Sequence, residues 1–349
     1  MITASPLSAQ PAATDWRQQW RDAERDPRRL LARLGLDGLA DRLATGGLHD
    51  FPLRVPQSFI ERMRVGDPDD PLLRQVLPLD DEDRIVPGFI DDAVGDAAAR
   101  SASGVLQKYQ GRALLVTTGS CAVHCRYCFR RHFPYAEETA AAGRWGAALE
   151  QLRRDTSINE VILSGGDPLS LSNAKLAELI EALDAIPQLH TLRIHTRLPV
   201  VLPARVDTGL LSMLSRSRLR RVVVIHANHG NELRVGGDPH PETTAALTAL
   251  REHDCTLLNQ AVLLRGVNDS VDALAGLSEA LFDVGVLPYY LHQLDRVRCA
   301  SHFEVDDSRA ITLVDELRSR LPGYLVPRLV REIAGADSKT PITSQSAPL

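Results

Sequence analysis

Ala113-Leu-Leu-Val-Thr-Thr-Gly-Ser-Cys121-Ala-Val-His-Cys125-Arg-Tyr-Cys128 is the stretch that decides how the chain is read. Its first half is a short apolar run of the kind that forms a buried parallel strand. Its second half sets three cysteines at C-x3-C-x2-C. Thiolates spaced this way on one tight loop reach a single metal centre together. Three ligands leave a coordination position open, and an open position is where chemistry happens. A structural zinc site is the competing reading, but it ordinarily closes with four ligands. No nearby cysteine supplies a fourth, and His124, inside the loop, is the one adjacent candidate.

Similar apolar, β-rich runs recur at Glu160–Ser164, Thr191–His195, Arg221–His226, Thr256–Leu264 and Leu287–His292. With Ala113–Thr118 they start about 30–47 residues apart, the spacing of strand-plus-helix units. Helical patterns fill the gaps. Leu176, Leu179, Ile180 and Leu183 share a face behind Ser172 as N-cap, Pro241 opens a second helix, and Ile311, Val314, Leu317 and Leu321 line a third. A full eight-unit barrel takes roughly 250 residues. About 210 are available here, so the spacing predicts a partial (β/α)6 TIM-like barrel with an N-terminal helical extension.

The expected organisation is a disordered tail over 1–14, an N-terminal helical region and linker over 15–108, the barrel over 109–322, and a C-terminal segment over 323–349 that carries Lys339. Trp16 to Leu36 reads as surface helix broken near Asp26-Pro27, Gln57–Val65 as a further helix, and 78–98 as an acidic linker. The first hundred residues show no chemical motif. Of the 349 residues, 44% are hydrophobic and 24% charged, as in an ordinary soluble protein. A net charge of -5 gives no footprint for nucleic acid or an anionic membrane. No apolar run reaches transmembrane length and no signal peptide stands at the start, so the chain reads as cytoplasmic. Five cysteines, three of them crowded, do not make a disulfide framework; Cys255 and Cys299 read as isolated reduced thiols.

Ligands of parallel α/β folds sit at the carboxyl ends of the strands, and each predicted strand ends in a polar or glycine-rich cluster. Ser164-Gly165-Gly166-Asp167-Pro168 is a tight turn whose glycines permit close approach to a ligand; alone it would be an ordinary turn. Arg130 and Arg131 follow the cysteine loop, where a guanidinium can grip a carboxylate; otherwise they are a surface basic pair. Asp295 and Glu332 are two acids for one cavity, a pairing that needs a cation between them unless both are plain salt-bridge partners. Lys339, on a small-residue turn after the apolar segment Tyr324–Val330, is either a solvated charge or a Schiff-base lysine for pyridoxal phosphate (PLP).

The cysteine loop resembles that of radical S-adenosylmethionine (SAM) enzymes. The wider motif set resembles the lysine 2,3-aminomutase family, most nearly the short bacterial branch that makes β-lysine for modification of elongation factor P. The motifs are Asp70-Pro-Leu-Leu-Arg-Gln-Val-Leu-Pro78, Tyr109-Gln-Gly-Arg112, the loop with Arg130-Arg131, Ser164-Gly-Gly-Asp-Pro168, His195-Thr-Arg-Leu-Pro199, Asn228-His229, Leu263-Leu-Arg-Gly-Val-Asn-Asp269, Pro288-Tyr-Tyr-Leu-His-Gln-Leu-Asp295 and Ser338-Lys-Thr-Pro341. The resemblance implies a [4Fe–4S] cluster on Cys121, Cys125 and Cys128. It implies SAM against Tyr127, Gly165, Gly166, Asp167 and Gln260, and PLP on Lys339 with Tyr109 nearby and Arg112 on its phosphate. It gives the substrate carboxylate to Arg130 and the ε-ammonium of L-lysine to Asp295 and Glu332. It also implies an isomerase that takes an electron from an external donor. The best-known members have a longer glycine run before the lysine and aspartate where Glu332 stands. An aminomutase for another amino acid, a PLP-independent radical SAM enzyme acting on a macromolecule, and a zinc- or cluster-stabilised binding protein are the rival readings.

Overall fold

The computed structural model describes residues 15–45, 51–135 and 145–343; the predicted tail over 1–14 and the last residues of the C-terminal segment lie outside them. The six apolar runs are six consecutive parallel strands: β1 (Arg112–Thr118), β2 (Glu160–Gly165), β3 (Thr191–Thr196), β4 (Arg220–Ile225), β5 (Cys255–Val262) and β6 (Leu287–His292). A seventh parallel strand, β7 (Arg328–Arg331), follows β6. The sequence reading had it only as an apolar lead-in to Lys339. Strand order follows chain order and the edge strands do not pair with each other, so the wall is an open, partial barrel.

Helices α1 (Gly146–Arg154), α2 (Asn173–Asp184), α3 (Thr208–Arg216), α4 (Pro241–Glu252), α5 (Val271–Asp283) and α6 (Asp307–Arg320) make the crossovers. Their apolar spacing explains their seating. Leu176, Leu179, Ile180 and Leu183 of α2 are all buried, and Ser172 Oγ accepts from Lys175 N to start the helix. Along β3, Leu192 and Ile194 enter the apolar core, while Arg193 and His195 alternate to the barrel interior.

The N-terminal region departs from its reading. It does break at Asp26, whose carboxylate caps a helix beginning at Pro27. But Trp16, Leu30, Leu31, Phe59 and Leu72 belong to the same apolar core as the barrel strands, so these are packed helices rather than surface ones. The Gln57–Val65 helix stops at Ile60, because Arg64 N is drawn to Asp70, which also caps the next helix. The stretch 78–98 is more than a linker: it carries Glu82 and Asp96, both buried carboxylates aimed at the barrel.

One edge contact places the C-terminal lysine. Thr340–Pro341 pairs antiparallel with β7, Thr340 opposite Arg331. The turn before it, with Gly335 at φ +80, therefore comes back over the carboxyl end of β7 and holds Lys339 at the barrel mouth. Among the described residues, no helix is long and apolar enough to cross a membrane.

Candidate active site

The cysteine loop leaves the carboxyl end of β1 and is braced from the N-terminal region. His124 N donates to Arg54 O, and Arg126 N to Gln75 O. Arg126 and Arg131, on either side of Cys128, both pair with Glu82, and all three side chains are buried. Neither Arg130 nor Arg131 is the surface pair of the alternative reading. His124 is stacked on Phe51, with Nδ1 2.7 Å from Pro52 O, so its ring is held by the N-terminal region rather than by the thiols. Burial, and then the neighbouring thiols, push Cys121 well up and Cys128 up to about 11. Both thiols therefore stay protonated until a cation joins them.

The Ser164–Asp167 turn packs against this loop. Gly165 has φ +119, and a side chain there would meet Thr118 O; one on Gly166 would meet Ser120 O at 2.5 Å. Gly166 N donates to Thr118 O and Asp167 N to Ser120 O. The close approach read from the two glycines is thus to the protein's own backbone. The Asp167 carboxylate is likewise engaged, taking bonds from Thr196 Oγ1, Leu169 N, Arg197 N and Leu198 N. The Asp167 carboxylate thus braces β2 against β3.

Charges then alternate across the mouth. Arg130 Nε donates to Asp96 at 2.7 Å and its Nη1 to Ser164 Oγ at 3.0 Å. Lys108 Nζ lies 2.8 Å from the other Asp96 oxygen and 3.6 Å from Glu332. Glu332 accepts from Tyr109 Oη and from Lys339 Nζ, each at 2.8 Å. Burial works to raise Asp96 and Glu332, but the cations outweigh it and hold both below the usual carboxylate range. Asp295 is different. Burial pushes it up to about 7 although Lys339 pulls the other way.

Gln260 Nε2 lies 2.7 Å from His226 Nε2 and 3.4 Å from His195 Nδ1. Burial and the surrounding charge keep His195, His226 and His292 neutral at pH 7, His226 down to about 4. Nε2 of His195 and of His292 is buried without a partner among the described residues. Tyr127 is packed edge-on against Phe303, and its hydroxyl accepts from Arg197 Nη1 at 2.8 Å. The Arg112 guanidinium lies 5.3 Å from the Tyr109 ring, with no ion pair among the described residues.

The Radical SAM superfamily profile matches residues 115–277. The chain is 48% identical over 337 residues to the L-lysine 2,3-aminomutase of Escherichia coli (strain K12), with 96% of each chain covered. It is 44% identical over 328 residues to that of Haemophilus influenzae, covering 93% of this chain and 95% of the other. The chain belongs to the L-lysine 2,3-aminomutase family. A longer relative from Clostridium subterminale is 30% identical over 329 residues, 94% of this chain and 77% of that one. Membership makes the protein an isomerase of the radical SAM class, with the [4Fe–4S] cluster and SAM which that class implies.

Three free thiols on one loop fit such a cluster, whose iron supplies the positive charge that thiolate ligands need. Arg112 beside Tyr109, with Tyr109 and Lys339 meeting on Glu332, fits a phosphate-bearing aldehyde cofactor. Sequence reading missed Glu82, Asp96, Lys108, Gln75, Arg197 and Glu232. Each acts only through a partner distant in the chain. For Arg197 and Glu232 the motifs His195–Pro199 and Asn228-His229 were the available signal.

Proposed function

We propose that the chain interconverts L-lysine and β-lysine by moving the amino group between Cα and Cβ. The carrying observation is the pairing of acids at the mouth. Glu332 already holds one ammonium, that of Lys339, and Asp295 stands near it with no hydrogen-bonded cation among the described residues. A substrate with a second ammonium suits that pair; a side-chain carboxylate would be repelled by it.

In this reading Cys121, Cys125 and Cys128 hold the [4Fe–4S] cluster, and Tyr127, the Gly165–Asp167 backbone and Gln260 border SAM. Lys339 binds PLP covalently, with Tyr109 alongside and Arg112 on the phosphate. PLP supplies an electron sink on the migrating nitrogen, while SAM at the cluster, fed by an external electron donor, supplies a hydrogen-abstracting radical. Arg130, kept in place by Asp96 and Ser164, takes the substrate carboxylate through its remaining N–H groups. Asp295 and Glu332 take the ε-ammonium and fix how far the reacting carbons sit from the cluster loop. His195, His226 and His292, neutral and at the carboxyl ends of their strands, do not repel the bound ammonium, and their lowered pKa makes them poor bases for it. By likeness to the short bacterial branch, we read the product as β-lysine for elongation factor P, made in the cytoplasm.

The test is anaerobic incubation of reconstituted protein with SAM, PLP, a reductant and L-lysine, followed by amino-acid analysis. β-Lysine is expected. Rearrangement of another amino acid with no β-lysine would overturn the substrate, and unchanged amino acids with SAM cleaved would favour a PLP-independent enzyme.

A further inference from the structure

We propose that Arg197 sets the reduction potential of the cluster by donating a hydrogen bond to the sulfur of Cys125. The proposal rests on Cys125 being a cluster ligand. Arg197 Nη1 lies 2.7 Å from Cys125 Sγ. The same nitrogen reaches Tyr127 Oη at 2.8 Å, and Nη2 reaches Gln75 Oε1 at 2.7 Å and Glu232 Oε2 at 2.8 Å. The head group lies between the rings of Phe59 and Tyr127, 5.3 and 5.8 Å from their centroids. Its backbone is fixed as well, since Arg197 N donates to Asp167. A guanidinium held this way cannot swing off the sulfur as a solvated arginine would.

The acceptors are held in turn. Glu232 Oε1 takes Gln75 Nε2 and Asn228 N, and Asn228 Nδ2 donates to Gln75 Oε1. The network is buried, so its charges act at close range with little screening. A donor on a ligating thiolate withdraws electron density from it, and a fixed positive charge favours the more negative, reduced cluster. Glu232 opposes this by cancelling part of the charge. The pair therefore has two levers of opposite sign: removing the guanidinium makes the potential more negative, and removing the carboxylate makes it less so. Because SAM cleavage begins with one electron from this cluster, the pair sets how strong a donor must be to start turnover.

The experiment uses the full-length chain, reconstituted anaerobically, as wild type, Arg197→Gln, Arg197→Lys and Glu232→Gln. Iron and sulfide are counted, and the midpoint is read by redox titration followed through the electron paramagnetic resonance of the reduced cluster. Arg197→Gln is expected to weaken reduction at least tenfold, 59 mV for one electron. Arg197→Lys should move less in the same direction, and Glu232→Gln the opposite way. A wild-type cluster with Arg197→Gln within twofold of it, or with both variants shifted in one direction, overturns the proposal. If Arg197→Gln fails to assemble, Glu232→Gln decides: an upward shift supports the proposal and any other result overturns it. A wild-type protein that assembles no cluster would count against the proposed function instead.

Discussion

Lys339 Nζ donates to Glu332 at 2.8 Å, on the carboxylate that also accepts from Tyr109. The Lys339 ammonium and a substrate ammonium are alternatives for this one carboxylate. While the Lys339 nitrogen is a free ammonium it satisfies Glu332; in the proposed function, attachment of that nitrogen to PLP would remove its charge and leave Glu332 for the ammonium of an incoming substrate. Lys339→Ala should therefore fail to retain PLP through gel filtration and lose aminomutase activity on the order of a thousandfold or more. Iron content should be unchanged, because the lysine touches none of the cysteines. PLP retained in full by Lys339→Ala would place the cofactor elsewhere.

In the proposed function, Asp295 would make substrate capture pH-dependent. Burial holds its pKa up at about 7, so it is ionised above that value and neutral below it. The lysine ε-ammonium stays charged throughout, so attraction is lost as pH falls. The expected kcat/KM for lysine declines below pH 7, approaching tenfold per unit. Asp295→Asn should sit about tenfold to a hundredfold lower at pH 8, as for loss of a hydrogen bond to a charged group, with the inflection gone. A wild-type profile that stays flat from pH 8 to below 6 would be inconsistent with this role.

Glu82 is the counter-ion of two buried arginines that flank the last cysteine. Glu82→Gln removes the one carboxylate that both arginines share, and breaking a buried pair typically costs about 3–5 kcal/mol. Denaturant unfolding should show a loss of that size. Reconstituted iron should fall too, because Arg126 and Arg131 set the conformation of the loop between them. Stability unchanged within about 1 kcal/mol would mean water reaches the pair.

How much of this was legible depends on whether a residue acts locally or at a distance. The six strands could be read because each is a short, β-rich run, continuous or alternating in its apolar residues, and α2 because Leu176, Leu179, Ile180 and Leu183 repeat at the helical period. β7 was not counted as a strand: four residues beginning and ending in arginine carry no period, and only pairing with β6 makes it one. Cys121, Cys125 and Cys128 announce themselves by spacing. Asp96 does not, because an aspartate in an acidic stretch looks solvated until Arg130 and Lys108 are folded onto it. The glycines are visible in the sequence but their packing partners are not, since sequence shows that a side chain is missing and not which atom occupies its space.

Gly166 turns that last point into a measurement. A methyl group there would stand 2.5 Å from Ser120 O and 2.8 Å from Ser120 N and the Gly119 carbonyl carbon. These are backbone atoms that cannot rotate away as a side-chain tip can. Gly166→Ala must push the residues just before Cys121 outward, breaking the Gly166 N–Thr118 O and Asp167 N–Ser120 O bonds that tie the turn to the loop. Lys339, Glu332 and Tyr109, which reach the mouth from β7 and the segment before β1, are not part of that contact. The expected variant binds PLP as wild type does but assembles well under half the iron, with SAM cleavage falling in proportion. Iron and PLP lost together would mean that the two halves of the mouth are not separately built; iron kept in full would mean that the cysteine loop tolerates the displacement.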